Sequence, residues 1–208
     1  MIEPQYRGDK VFYPVMEHFY TLQGEGNYTG QAAYFIRLAG CDVGCSWCDV
    51  KESWAVAQDQ YVDIDLLSKE VEASAAKIVV ITGGEPAMYH LGPLTESLKK
   101  LHVKIHIETS GAYAISGNLD WICVSPKRFK KPLPESIRCA DELKMIVVNR
   151  QDLIWAEELS LECKKECLLL LQPEWDRAEK VYPMIIQFIK ENPKWRLSLQ
   201  LHKFLNIP

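Results

Sequence analysis

Apolar and polar positions follow two rhythms along this chain, and the rhythms take turns. Short runs dense in β-branched and aromatic residues predict strands at Ala32–Leu38, Lys77–Thr82, Val103–Thr109, Trp121–Val124, Leu143–Val148, Cys167–Leu171 and Arg196–Leu201. Between them, apolar residues recur three and four apart and predict helices over Asp63–Ala76, Leu91–Leu101, Gln151–Cys163 and Asp176–Glu191. Strand alternating with helix through most of the chain implies an α/β fold with a parallel sheet. A complete eightfold barrel usually takes about 250 residues. At 208 residues, the expectation is an incomplete (β/α) barrel of mostly parallel strands, one domain spanning residues 1–208.

Composition narrows the classes of function. The formal net charge is −4 and charged residues make up 25%, so no nucleic-acid partner is expected. A local basic cluster at Lys127, Arg128, Lys130 and Lys131 reads first as a solvated loop. No apolar run approaches the roughly 20 residues that cross a bilayer. The N-terminal MIEPQYRGDK lacks the apolar centre of a secretory signal. A cytoplasmic protein without a membrane partner is expected. Seven cysteines are an odd number, which argues against a disulfide framework. Cys123, Cys139, Cys163 and Cys167 are scattered and read as core or surface thiols, but the other three cluster.

That cluster reads Cys41-Asp-Val-Gly-Cys45-Ser-Trp-Cys48 and follows the first predicted strand. Spacings of three and two let one loop wrap a single metal centre. Soft thiolates suit an iron–sulfur cluster or zinc. A structural zinc site is closed by four ligands, and only three are local here. Three thiolates on a four-iron cube leave one iron open for a ligand. Three other predicted strands end in unusual turns: Thr82-Gly83-Gly84-Glu85-Pro86, Glu108-Thr109-Ser110-Gly111 and Ser125-Pro126-Lys127. In parallel α/β sheets such turns share the carboxyl rim, where sites form. A later apolar run, Leu168–Leu171, is followed by Gln172-Pro173.

The Cys-x3-Cys-x2-Cys loop, with Trp47 before its last cysteine, and the Gly-Gly-Glu-Pro turn resemble those of the radical S-adenosylmethionine (SAM) superfamily. The resemblance implies a [4Fe–4S] cluster on Cys41, Cys45 and Cys48, with SAM on the open iron. It also implies that an electron from the cluster splits SAM into methionine and a 5′-deoxyadenosyl radical. SAM would lie along Trp47, Gly83, Gly84, Glu85, Glu108, Ser110, Ser125, Pro126, Lys127 and Gln172.

More specific motifs lie outside the loop: Phe19-Tyr20-Thr21-Leu22-Gln23-Gly24-Glu25-Gly26, Arg37-Leu38-Ala39-Gly40-Cys41, and the ending His202-Lys203-Phe204-Leu205-Asn206-Ile207-Pro208. From about Glu17 to the last residue the chain resembles the 7-carboxy-7-deazaguanine synthase family of queuosine (7-deazapurine) biosynthesis. The resemblance implies a carbon–nitrogen lyase that contracts 6-carboxy-5,6,7,8-tetrahydropterin with loss of ammonia and regenerates SAM. The pterin would be held by Leu22, Gln23, Gly24, Glu25, Arg37, Thr82, His202 and Pro208. Gln23 carries a donor and an acceptor, Glu25 an acceptor, and Arg37 a fork for the substrate carboxylate. A homodimer and a flavodoxin or ferredoxin as electron donor are also implied. One position departs from the family: after Cys48-Asp49, where a threonine oxygen binds Mg²⁺, this chain has Val50. Magnesium takes oxygen ligands, so the departure puts that ion in question. Two rival readings share the loop, a radical SAM activase acting on a partner protein and a zinc or interaction module. Neither needs Gln23, Glu25, Arg37 and Pro208.

Overall fold

The computed structural model describes residues 1–208. Its strands are β1 (Gln5–Arg7), β2 (Lys10–Leu22), β3 (Ala32–Leu38), β4 (Tyr61–Asp63), β5 (Ile78–Gly83), β6 (Lys104–Thr109), β7 (Trp121–Val124), β8 (Glu142–Val147), β9 (Leu168–Pro173) and β10 (Trp195–Leu197). The helices are α1 (Ile64–Ala73), α2 (Gly92–Lys99), α3 (Pro134–Cys139), α4 (Arg150–Ser160), α5 (Ala178–Glu191) and α6 (Leu201–Leu205). The ten strands form one open sheet, ordered β1-β2-β3-β5-β6-β7-β8-β9-β10, with β4 beside β2. From β3 to β10 every pairing is parallel. β2 runs antiparallel to β3, β1 and β4. The sheet does not close on itself, as the chain length implies.

Period-two alternation decides what each face carries. On the convex face, Ile36 and Leu38 of β3, Val79 and Ile81 of β5, and Ile105 and Ile107 of β6 pack against Leu67 and Val71 of α1 and Leu94 and Leu98 of α2. Farther along, Leu143, Met145 and Val147 of β8 and Leu171 of β9 pack against Leu153 and Ala156 of α4 and Val181 and Ile185 of α5. Burial of each such side chain stabilises by about 2 kcal/mol, which sets which face points outward to the helices. The concave face starts apolar, with Ala33, Phe35, Ile78 and Val80. Toward the carboxyl rim it turns polar, with Arg37, Thr82, Glu108, Lys144 and Gln172 all turned into one cavity.

The helix starts follow their caps. Asp63 accepts from the Asp65 amide at α1, and Asn149 with Asp152 forms a capping box at α4. Three parts of the fold depart from the sequence expectation. β2 has 13 residues, and the sequence reading assigns no strand there. Pro14 interrupts it, and the pairing shifts register between Val15 and Glu17. Its regularity comes from β3 on one stretch and β1 and β4 on another. The last strand is shorter than expected: β10 stops at Leu197 and α6 begins at Leu201. The short helix α3 opens at Pro134 in the segment after the basic cluster.

Candidate active site

Because β3 to β9 run parallel, the turns after them gather at one rim. They enclose a cavity of about 430 Å³, a size that suits small-molecule ligands. All the residues that the sequence singles out for ligands line it, except Gly24 and Pro126.

At one end lies the cysteine loop. Its backbone is pinned by Gly40 N–H to Ser53 O (2.7 Å), Cys41 N–H to Trp54 O (3.2 Å) and Cys48 N–H to Cys45 O (3.1 Å). Cys45 is buried, Cys41 and Cys48 are half-buried, and all three are free thiols facing the cavity. Burial pushes the Cys45 thiol up to about 11, although the nearby Lys127 ammonium pulls it down. Burial raises Cys41 as well. Lys127, itself shifted down by burial, sits 5.6 Å from the Trp47 ring centre and donates to Ser125 Oγ (2.7 Å).

The glycine turn abuts this loop through Gly84 N–H to Leu38 O and Glu85 N–H to Gly40 O, both 2.9 Å. Gly83 has φ +138°, and a Cβ there would overlap the Leu38 backbone, so the turn admits no side chain. Glu85 lines the cavity as well. Its buried carboxylate accepts from Ala87 N–H (3.0 Å), Ser110 N–H (2.8 Å), Thr109 Oγ1 and Ser110 Oγ. Four donors take up its lone pairs, so the Glu85 and Ser110 side chains brace one turn to the next. Gly83 and Gly84 present the backbone of this turn to the cavity.

The opposite end is a polar network from distant segments. Glu25 N–H donates to Gln23 Oε1 (3.0 Å), and Gln23 Nε2 donates to Glu108 Oε1 (2.9 Å). Lys144, only 3% exposed, bonds Glu25 Oε2 (2.5 Å) and Glu108 Oε2 (3.1 Å). Burial would raise the Glu25 carboxyl, but Lys144, helped by His202 and Gln172, outweighs it and holds it well below the usual range. Lys144 moves the other way: burial lowers it, and the Glu108 and Glu25 charges more than reverse that. Glu108 was expected along SAM, yet its carboxylate is bound into this network. The sequence reading missed Lys144, although a signal existed. In β8, Leu143, Met145 and Val147 face the core, so Glu142 and Lys144 fall on the inner, functional face.

Arg37 stands beside Thr82 in the β3–β5 register. Its Nε pairs with Glu17 (2.6 Å) across β2–β3. The terminal tail packs over the network. Leu201 N–H donates to Gly24 O (2.8 Å), and Phe204 meets Trp175 edge-on. Gly24 lies outside the cavity because His202 crosses it so closely that a Cβ would overlap the His202 ring. His202 and Pro208 reach the cavity, and burial lowers the His202 imidazole despite Glu25. Gln172 lines the cavity and accepts from Ser198 Oγ (2.8 Å). Pro126 is buried behind Ser125 and Lys127.

Residues 35–120, which hold the cysteine loop and the glycine turn, match the Radical SAM superfamily model. The 7-carboxy-7-deazaguanine synthase of Flavobacterium psychrophilum is 50% identical over 94% of this chain and 92% of its own. The enzyme of that name from Synechocystis is 43% identical, over 95% and 94%. The crystal structure of QueE from Escherichia coli superposes with a TM-score of 0.80 at 35% identity, covering 92% of this chain and 95% of that one.

The chain belongs to the 7-carboxy-7-deazaguanine synthase family.

Membership in this radical SAM family implies a [4Fe–4S] cluster and SAM, and the residues fit both. The three thiols share one wall of the cavity, and the buried ones resist ionisation until a cation arrives, as iron would be. The glycine turn Gly83-Gly84 lines the same cavity and is packed against the backbone of Leu38 and Gly40. Magnesium fits poorly. Val50 offers no oxygen, and the Asp49 carboxylate is engaged by Lys203 (2.8 Å) and Gln200 (3.4 Å). No helix is long and apolar enough to cross a membrane.

Proposed function

We propose that the chain converts 6-carboxy-5,6,7,8-tetrahydropterin into 7-carboxy-7-deazaguanine with loss of ammonia, a step of queuosine (7-deazapurine) biosynthesis. The observation that carries this reading is the meeting, in one cavity, of three thiols at one end and the Gln23–Glu25–Glu108 network at the other. Cys41, Cys45 and Cys48 hold the cluster. When bound, the cluster and SAM supply one-electron chemistry that removes a hydrogen atom from C6 of the substrate. Gly83 and Gly84 offer carbonyls to the SAM ammonium. Trp47, Ser125, Pro126, Lys127 and Gln172 flank the rest of SAM.

Gln23 and Glu25 meet the donor and acceptor edge of the pterin. Arg37 spends its Nε on Glu17 and turns its remaining nitrogens to the substrate carboxylate. Thr82 stands at its side. Leu22, Gly24, His202 and Pro208 close the pterin end and exclude water. Arg37, rather than a magnesium ion, neutralises the carboxylate. The active form is a homodimer in the cytoplasm, reduced by a flavodoxin or ferredoxin.

The test is anaerobic incubation of the reconstituted protein with SAM, reductant and the carboxytetrahydropterin, followed by mass spectrometry. The expected outcome is 7-carboxy-7-deazaguanine. Unchanged pterin, in a sample carrying full iron and sulfide, would sink the reading.

A further inference from the structure

Lys144 is the cation around which the polar end of the cavity is arranged, and no motif singles it out. Its ammonium bridges Glu25, on the turn after β2, and Glu108, at the end of β6. Other charged or titratable groups act on it, while β9 beside it brings none. They are Glu142 on its own strand, Cys123 on β7, Lys127 after β7 and His202 from the tail. Glu142 is already engaged with the Asn27 amide (3.0 Å) and with the Cys123 thiol, which donates to it. Glu25 and Glu108 are therefore the carboxylates that Lys144 gathers beside the cavity. Two half-buried carboxylates at close quarters repel one another unless a cation lies between them.

We propose that Lys144 is a positioning residue for the pterin: it holds Glu25 and Glu108 side by side as a paired acceptor and so selects a 2-amino-4-oxopyrimidine edge. This rests on the pterin reading above and deepens it. Such an edge presents a ring N–H and an exocyclic amino group as adjacent donors. The paired carboxylates meet both. A 2,4-dioxopyrimidine edge, as in a lumazine, puts a carbonyl where the amino group belongs and sets oxygen against oxygen. A site built on acceptors rejects a ligand that lacks the matching donor, because the buried acceptor is then left unpaired.

The experiment compares wild type, K144M and K144R, each reconstituted with cluster and saturated with SAM. Titration calorimetry with 6-carboxypterin and with 6-carboxylumazine, from mildly acid to mildly alkaline pH, gives affinity, preference and pH profile. Iron per chain and thermal unfolding report folding. Wild type is expected to prefer the carboxypterin, with little dependence on pH. K144M should bind the carboxypterin roughly 10- to 100-fold more weakly and lose the preference. Its affinity should fall as pH falls, because a half-buried carboxyl stripped of its ammonium gains a proton more readily. K144R should recover the preference. If K144M does not fold, K144M/E108Q removes the excess charge, and it should fold and lose the preference.

Wild-type preference and a flat profile in K144M, or full preference in the double variant, would overturn the proposal. Equal weakening toward both ligands with no change of pH profile would also overturn it, since that marks a purely structural role. Wild type that loads iron and SAM yet ignores the carboxypterin would overturn the pterin reading itself, and this inference with it.

Discussion

At the cysteine end of the cavity, the three ligand positions fall between Cys41 and Cys48, on one loop after one strand. At the opposite end, Gln23, Glu108, Lys144 and His202 arrive from the turn after β2, from β6, from β8 and from the terminal tail. The first end is a local device, whose geometry is set by loop spacing and a few backbone hydrogen bonds. The second is composite, and each member is held by another: Glu108 by Gln23 and Lys144, Gln172 by Ser198, and the tail by Gly24. A local device fails when a ligand is removed. A composite one also fails when a supporting group shifts, because buried charges depend on their partners at about 3–5 kcal/mol per broken pair.

Four changes test that contrast. The largest effect belongs to the cysteine end. Cys45→Ser should abolish turnover and strip iron and sulfide from the protein, measured by metal and sulfide analysis. Gly24→Ala, or residues appended after Pro208, should act on the composite end alone. The His202 ring lies where the new Cβ would go, so the tail must move. We expect KM for the pterin to rise by roughly 100-fold, the scale of a misplacement of about 1 Å, with iron content unchanged. Loss of iron in that variant would break the distinction between the two ends.

A smaller effect lies beneath the composite end. His106 is buried on β6 against Tyr28 and Trp121, its Nε2 has no partner, and burial pushes its imidazole down to about 4. The unfolded chain titrates near its ordinary value, about 6.5, so it takes up a proton first as pH falls. His106 should therefore remove stability progressively from about pH 6.5 down to about 4, by roughly 3 kcal/mol in all. His106→Phe should flatten that part of the curve in urea unfolding followed across pH. An unchanged slope would show that the histidine is not held neutral. The smallest expected effect is none: added magnesium and a magnesium chelator should give the same turnover, because Val50 offers no oxygen and Lys203 already neutralises Asp49. A clear magnesium requirement would show that backbone or substrate oxygens replace the missing side chain.

The sequence by itself determined the parallel α/β scaffold, since apolar runs such as Ile78–Ile81 and the amphipathic α4 and α5 carry their periods whatever surrounds them. It determined the cysteine loop and the glycine turn too, because spacing along the chain is what lets one loop bind one centre. Tertiary structure alone decided that β2 is a long strand, for its pairing partners regularise a segment broken by Pro14. It also decided that Glu85 and Ser110 brace each other and that Glu108 belongs with Gln23 and Lys144. Those facts depend on which charges and donors the fold brings within about 3 Å, and such distances are written nowhere along the chain.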